Sequence, residues 1–214
     1  MKGIILKDLY DNFCIPKNAA SFILAALFVL PFGFLTHSKY YYGLFAGVIL
    51  PLIGGCATEA ATEQDEAANF NKLLITFPVT KAEIVTAKYI LGFGFIAVTD
   101  LVALLCSLVQ VYVHHTFRLT EALCVWGISI SISLIFLSVI YVGYFLLGKR
   151  WGTIFFIIVT ALIGAVYGAS SVVLGMDVIF NLSPLLVLCL LFAGVVMTAL
   201  SRLASIRIYK KKYS

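Results

Sequence analysis

Hydrophobic residues in this chain fall into long runs at about residues 19–35, 40–57, 87–113, 122–147, 151–174 and 183–203. Each is long enough for a helix to cross a hydrocarbon core roughly 30 Å thick. The pattern therefore predicts an all-α polytopic membrane protein with six transmembrane helices. Ahead of the first run, Ile5, Leu6, Leu9 and Phe13 share one helical face while Lys7, Asp8, Asp11 and Asn12 share the other. That spacing predicts an N-terminal amphipathic helix lying along the bilayer surface, with Pro16 marking a break before the first span.

One long polar passage, residues 58–90, interrupts the oily pattern between the second and third runs, and it carries five of the ten acidic residues. Thr58 can cap a helix in which Glu59, Glu63 and Glu66 line one face at i, i+4 and i+7. Phe70, Leu73, Leu74 and Phe77 supply an apolar side further on. Pro78 breaks this helix, and Thr80 followed by Glu83 forms a capping box that starts a second helix running straight into the third span.

Composition agrees with the pattern: 62% hydrophobic residues and 12% charged lie far outside the range of soluble domains. The mean hydropathy of +1.07 says the same. A single membrane domain over 1–214 accounts for the length, with a leader at 1–17, a loop at 58–86 and a basic tail at 204–214. With both termini inside, thirteen of the fifteen lysines and arginines face the cytoplasm, leaving only Lys39 and Arg118 outside. The net charge of +5 is thus a matter of headgroup-facing residues and argues against a nucleic-acid partner. The five cysteines are odd in number, scattered and without C-x-x-C spacing, which supports neither a disulfide framework nor a metal site.

Small residues recur within the second run (Gly43, Gly47, Gly54) and the fifth (Gly164, Gly168, Ser171, Gly175), which suits close helix packing either within the chain or against another subunit. Pro31 and Pro51 are candidate kinks. Asp100 is the one ionisable residue deep within a span. With Ser107 and Gln110 it forms an inward polar stripe that either lines a translocation path, pairs across a dimer, or is hydrogen-bonded internally.

The acidic passage admits three readings: paired carboxylates for acid-base or metal chemistry, a solvated face, or a docking surface for a basic cytoplasmic protein. His37, His114 and His115 all fall on the opposite side of the membrane, which disfavours the first, so neither catalytic residues nor metal ligands are assigned. The chain's Gly-Lys is followed by Arg150, so it lacks the phosphate loop of an ATPase.

At residues 77–90, F-P-V-T-K-A-E-I-V-T-A-K-Y-I, preceded by the acidic pair Asp65-Glu66, the chain resembles small bacterial permeases of the ABC-2 class, particularly those grouped with bacitracin, lantibiotic and phenol-soluble-modulin exporters. There the pattern runs approximately L-P-[VI]-[ST]-[RK]-x-x-[IV]-V-x-x-K-Y. Phe77 departs from the usual leucine and Thr80-Lys81 from the commoner Ser-Arg. The opening M-K-G-I-I-L-K-D-L-Y is also similar to the family's leader. The resemblance implies a non-enzymatic transport subunit of the bacterial cell membrane, with both termini cytoplasmic. It implies pairing with itself or a sister permease, and a cytoplasmic ATPase dimer that holds the ATP and Mg2+. The cargo it implies is an amphipathic peptide or another hydrophobic, antimicrobial compound, moved outward. It also implies a coupling helix that docks the ATPase, here Glu63, Asp65, Glu66, Phe70, Leu73, Leu74, Phe77, Pro78, Thr80 and Lys81, with Lys88 and Tyr89 as membrane-interface anchor. Two other classes stay open on the residues alone: a non-transporting interaction or immunity protein, and an ion-coupled transporter or channel using Asp100.

Overall fold

Proline and glycine punctuate the helices. Pro16 opens α2 (Pro16–Leu35), where its missing N–H costs nothing, and Ile15 before it is extended, as a residue preceding proline must be. The structure, a computed structural model, describes residues 2–67, 70, 79–173 and 182–212. Ahead of Pro16 lies α1 (Lys2–Phe13). Pro31 stays inside α2, which runs on to Leu35.

The second span begins as α3 (Lys39–Leu44), passes through a π-helical turn at Phe45–Ile49, and continues as α4 (Leu50–Ala67). The Leu50 N–H bonds to the Phe45 carbonyl, one residue wider than an α-helical bond. The following Pro51 has no N–H to give and would crowd the carbonyl four residues back, so the wide turn is a local accommodation of the proline. Thr58 does not start a new helix as the sequence suggested. It lies inside α4, because the alanine-, glutamate- and glutamine-rich passage after it has strong helix propensity and contains no breaker.

After Thr80, α5 (Lys81–Tyr112) runs 32 residues, about 48 Å at 1.5 Å per residue. α6 (Leu119–Gly148) and α7 (Arg150–Ser170) are separated at Gly148, whose φ of 75° favours glycine. α8 (Pro184–Lys212) ends with Lys210, Lys211 and Lys212 in its last turn, where a helix C-terminus favours cations. Among the described residues, six helical segments are long and apolar enough to cross a membrane, and the chain is an all-helical, multi-pass membrane protein.

α6 is the hub. Gly127 and Gly194 let it approach α8, Gly55 admits the Phe136 ring, and Gly92 on α5 lies under Leu137 and Tyr141. Gly54 makes a close contact too, with Ile96 and Thr99 of α5. Of the other small residues picked out in sequence, Gly47, Gly164 and Gly168 meet nothing within 4 Å of a built Cβ. Hydrophobic residues on α2, α7 and α8 remain exposed on the outside, Phe28, Leu162 and Phe192 among them, as lipid-facing surfaces should.

Candidate functional site

α1 is inverted relative to a soluble amphipathic helix. Its polar residues Asp8, Asp11 and Asn12 are buried against the protein, while Leu6, Tyr10 and Phe13 are exposed at 66%, 61% and 53%. In a bilayer this orientation is the stable one, since lipid accepts the apolar face and only protein can pair the charges.

What the buried face meets is a five-membered charge cluster. Lys7 pairs with Asp11 at 2.7 Å, with Asp8 at 3.3 Å, and with Asp65 of α4. Lys88 of α5 pairs with Asp65 at 2.6 Å and with Asp8 at 3.5 Å. The Lys7 ammonium also lies 4.5 Å above the Phe70 ring. One carboxylate oxygen from each of Asp8, Asp11 and Asp65 falls within a 4.8 Å group that could suit a cation. The two ammonium groups already supply the opposing charge there.

Two lysines face three aspartates, so the fully ionised cluster carries one negative charge in excess. The electrostatics divide unequally. Burial pushes the Asp8 carboxyl above its ordinary value and the neighbouring Asp65 adds to the rise, with Lys88 and Lys7 only partly offsetting it. Burial acts the same way on Asp65, but Lys88 and Lys7 together outweigh it and hold that carboxyl below its ordinary value. Burial alone would lower Lys7; its three aspartates outweigh the effect and hold its ammonium above the usual lysine value.

The residues singled out in sequence are dispersed over several environments. Asp65 is buried, with its carboxylate taken up by two lysines. Lys88 is buried in the same cluster, and Tyr89 donates or accepts across 2.5 and 3.0 Å to Ser201 and Ser205 of α8. Both face inward where an interface anchor was expected. Thr80 caps α5 through the full box, its hydroxyl accepting from Glu83 N–H at 3.3 Å and its N–H donating to the Glu83 carboxylate at 2.8 Å. Phe70 packs beside the buried cluster of Ile84, Val85 and Tyr89, and Lys81, one residue after the cap, is half-buried. Leu73, Leu74, Phe77, Pro78, Gly175 and Asp177 lie outside the described residues, as do the side chains of Thr58, Glu59, Glu63, Glu66, Lys149 and Ser171.

Asp100, Ser107 and Gln110 are buried, each against a different neighbour. Ser133 and Ser129 of α6 donate to the Asp100 carboxylate at 3.2 and 3.5 Å, and the Trp126 indole donates to its backbone carbonyl at 2.9 Å. Ser107 meets the Tyr42 hydroxyl. Gln110 donates to Thr36 O at 2.6 Å and accepts from Thr116 at 2.6 Å. These are intramolecular satisfactions of polar groups in a low-dielectric interior.

Sequence reasoning overlooked Lys7, Asp8 and Asp11 as site residues. The available signal was three charged residues at i, i+1 and i+4, which share one face of the leader helix. It also overlooked Ser129 and Ser133, although their i, i+4 spacing opposite an intramembrane aspartate was legible.

A family model described as ABC-2 family transporter protein matches residues 3–210, nearly the whole chain. No curated protein and no solved structure matches the chain significantly.

Proposed function

Because the chain belongs to the ABC-2 family of transporter proteins, we propose that it is the permease subunit of an ATP-driven exporter in a bacterial cell membrane. It pairs with a second permease subunit, the same chain or a sister, and with a cytoplasmic ATPase dimer that holds the ATP and Mg2+. The termini are cytoplasmic, and the cargo is an amphipathic peptide or another hydrophobic compound, as for exporters of antimicrobial peptides.

The observation that carries this reading is the charge cluster. It joins α1 to Asp65, three residues before the stretch that begins at 68, and to Lys88, eight residues after the Thr80 cap. An ATPase docked on that stretch would pull on both ends of a single electrostatic knot. A hydrophobic cargo is supported by an almost wholly apolar cavity of about 410 Å³ between the π-helical turn, α6 and α7, with Gly47, Val48, Ile132, Phe136 and Ile163 in its wall. Asp100 and its serines serve as an internal clasp between α5 and α6.

The test is reconstitution with a candidate ATPase in vesicles. The permease should co-purify with it, stimulate its hydrolysis and support cargo efflux; Ala68→Arg, in the docking stretch, should retain hydrolysis and lose efflux. A chain that neither binds nor stimulates any such ATPase is not its permease.

A further inference from the structure

The apolar cavity between the π-helical turn, α6 and α7 is long and narrow. Its lining on α7 runs from Val159 to Ser170, eleven residues or about 16.5 Å of helix. That matches one leaflet of a hydrocarbon core roughly 30 Å thick. Spread over this length, about 410 Å³ leaves a mean cross-section of about 25 Å². A helix with its side chains, about 10–12 Å across, needs at least about 80 Å². A strand packed in a sheet takes about 47 Å². Neither conformation of a peptide fits, whereas an unbranched alkyl chain, whose carbons pack about 4 Å from their neighbours, needs only on the order of 20 Å².

We propose that this slot holds one unbranched acyl chain of the cargo, and hence that the cargo of the transport reading, on which this inference rests, is a single-chain amphiphile such as an acylated peptide. The chemistry of the wall agrees with the width. The Tyr167 hydroxyl donates to Tyr40 O at 3.0 Å and the Ser170 hydroxyl to Tyr167 O at 2.9 Å, so peptide carbonyls entering the slot would lose their water and find no free donor. An acyl chain has no such groups to satisfy. Its polar head would stay at the Tyr167 end, where Tyr40 and Tyr41 are exposed at the level that interfacial aromatic residues occupy. Phe136, Val139 and Val159 line the inner end. Leu162 and Val166 of the same wall are exposed to lipid, which lets a chain slide in sideways from the bilayer.

The test uses the full-length protein in phospholipid nanodiscs and two N-myristoyl diglycine probes, one with a photoreactive diazirine at the chain terminus and one with it beside the amide. The terminal group should label Phe136, Val139 or Val159, and the amide-side group Tyr167 or Ser170. Diazirine-free N-myristoyl diglycine should compete, and an unacylated amphipathic helical peptide should not. Gly47→Leu, which grows into the slot, and Val166→Trp, at a lipid-exposed position of its wall, should each reduce labelling about fivefold, on the scale of overfilling a packed site. Labelling spread along the outer face of α7, equal competition by the unacylated peptide, or full labelling in both variants would overturn the slot. With the ATPase added, ATP should deplete the probe from the slot and a non-hydrolysable analogue should not. A probe retained through turnover by an ATPase that the permease stimulates is a resident lipid, which overturns the cargo assignment. An ATPase that the permease never stimulates refutes the transport reading itself; labelling is read before any ATPase is present, so the two failures are told apart.

Discussion

Lys88→Met is the sharpest perturbation of the charge cluster. The substitution keeps most of the side-chain volume and removes one positive charge, leaving Lys7 alone against Asp8, Asp11 and Asp65. The net charge of the buried group goes from minus one to minus two. Removing one partner of a buried pair costs about 3–5 kcal/mol. For a chain of this size that corresponds to a drop on the order of 10 °C in melting temperature. Asp65→Asn should cost less, about 1.5–3 kcal/mol, although it deletes the two pairs that link Asp65 to α1 and α5. Lys7 keeps Asp11 at 2.7 Å and Lys88 keeps Asp8 at 3.5 Å, and two lysines then balance two aspartates. The decisive variant is Lys88→Met combined with Asp8→Asn. One lysine then faces two aspartates, the wild-type excess of minus one returns, and most of the lost stability should return with it. Thermal unfolding in detergent followed by tryptophan fluorescence reads all three. If Lys88→Met melts within a degree or two of the wild type, or the double variant melts no higher than Lys88→Met, the cluster is not the electrostatic unit described here.

Asp8→Asn alone should separate from the wild type as pH rises. A carboxyl whose value is raised on folding binds its proton more tightly in the folded state, so its contribution turns against folding above the ordinary value of 3.8. The stability gap in favour of Asp8→Asn should be near zero below that pH and widen above it; a gap that narrows on the way up would contradict the assignment. Thr80→Ala should cost about 0.5–2 kcal/mol and speed amide exchange in the first turn of α5, the loss expected of a cap; unchanged exchange at Glu83 would count against it. Gly92→Ala brings a Cβ to 2.6 Å from the Tyr141 hydroxyl and 2.8 Å from Leu137, and should destabilise by about 1–3 kcal/mol. Gly164→Ala meets nothing within 4 Å and should be neutral or stabilising by up to about 1 kcal/mol; the reverse order in melting temperature would refute the packing. Gly47→Leu grows into the apolar cavity, where a built Cβ touches nothing. It should leave melting unchanged and reduce cargo efflux at least severalfold, whereas wild-type efflux would remove the cavity from the transport route.

How much of this was legible depends on which physical signal each feature leaves. The six spans leave a strong one, because an apolar run of twenty residues has few other uses, and the Thr80–Glu83 box could be located to the residue because capping is local chemistry. The fate of α1 left only half a signal. Its amphipathic spacing shows that two faces exist, but not which of them meets protein, and a lipid environment inverts the answer familiar from soluble helices. The burial of Asp65 was not legible for a related reason: four acidic residues within eight positions look like a solvated face, and it is the tertiary arrival of Lys7 and Lys88 that pairs Asp65 in the interior. The spread of Asp100, Ser107 and Gln110 onto three separate partners could not be read from a shared helical face, since one stripe on α5 passes α6, α3 and the turn after α2 along its length.

The position of the cluster bears on how motion could travel under the proposed transport reading. Suppose the end of α4 slid about 2 Å away from α1 and α5. At an effective dielectric near 20, the Asp65–Lys88 attraction at 2.6 Å would weaken by about 3 kcal/mol, before any loss at Lys7. That is as large as the 1–3 kcal/mol by which coupled sites usually influence one another. Stretching the knot therefore costs at least as much as a typical coupling event supplies, and moving α1, α4 and α5 together costs far less. A force applied to the stretch between Asp65 and Lys88 would carry the leader helix with it, and spin-label distances between α1 and α5 should stay fixed through the ATPase cycle while those between α1 and α7 change. In Lys88→Met the α1–α5 distance should broaden, because the leader still follows α4 through Lys7 and Asp65 but has lost its ionic tie to α5 and keeps only apolar contacts such as Phe13 on Phe95.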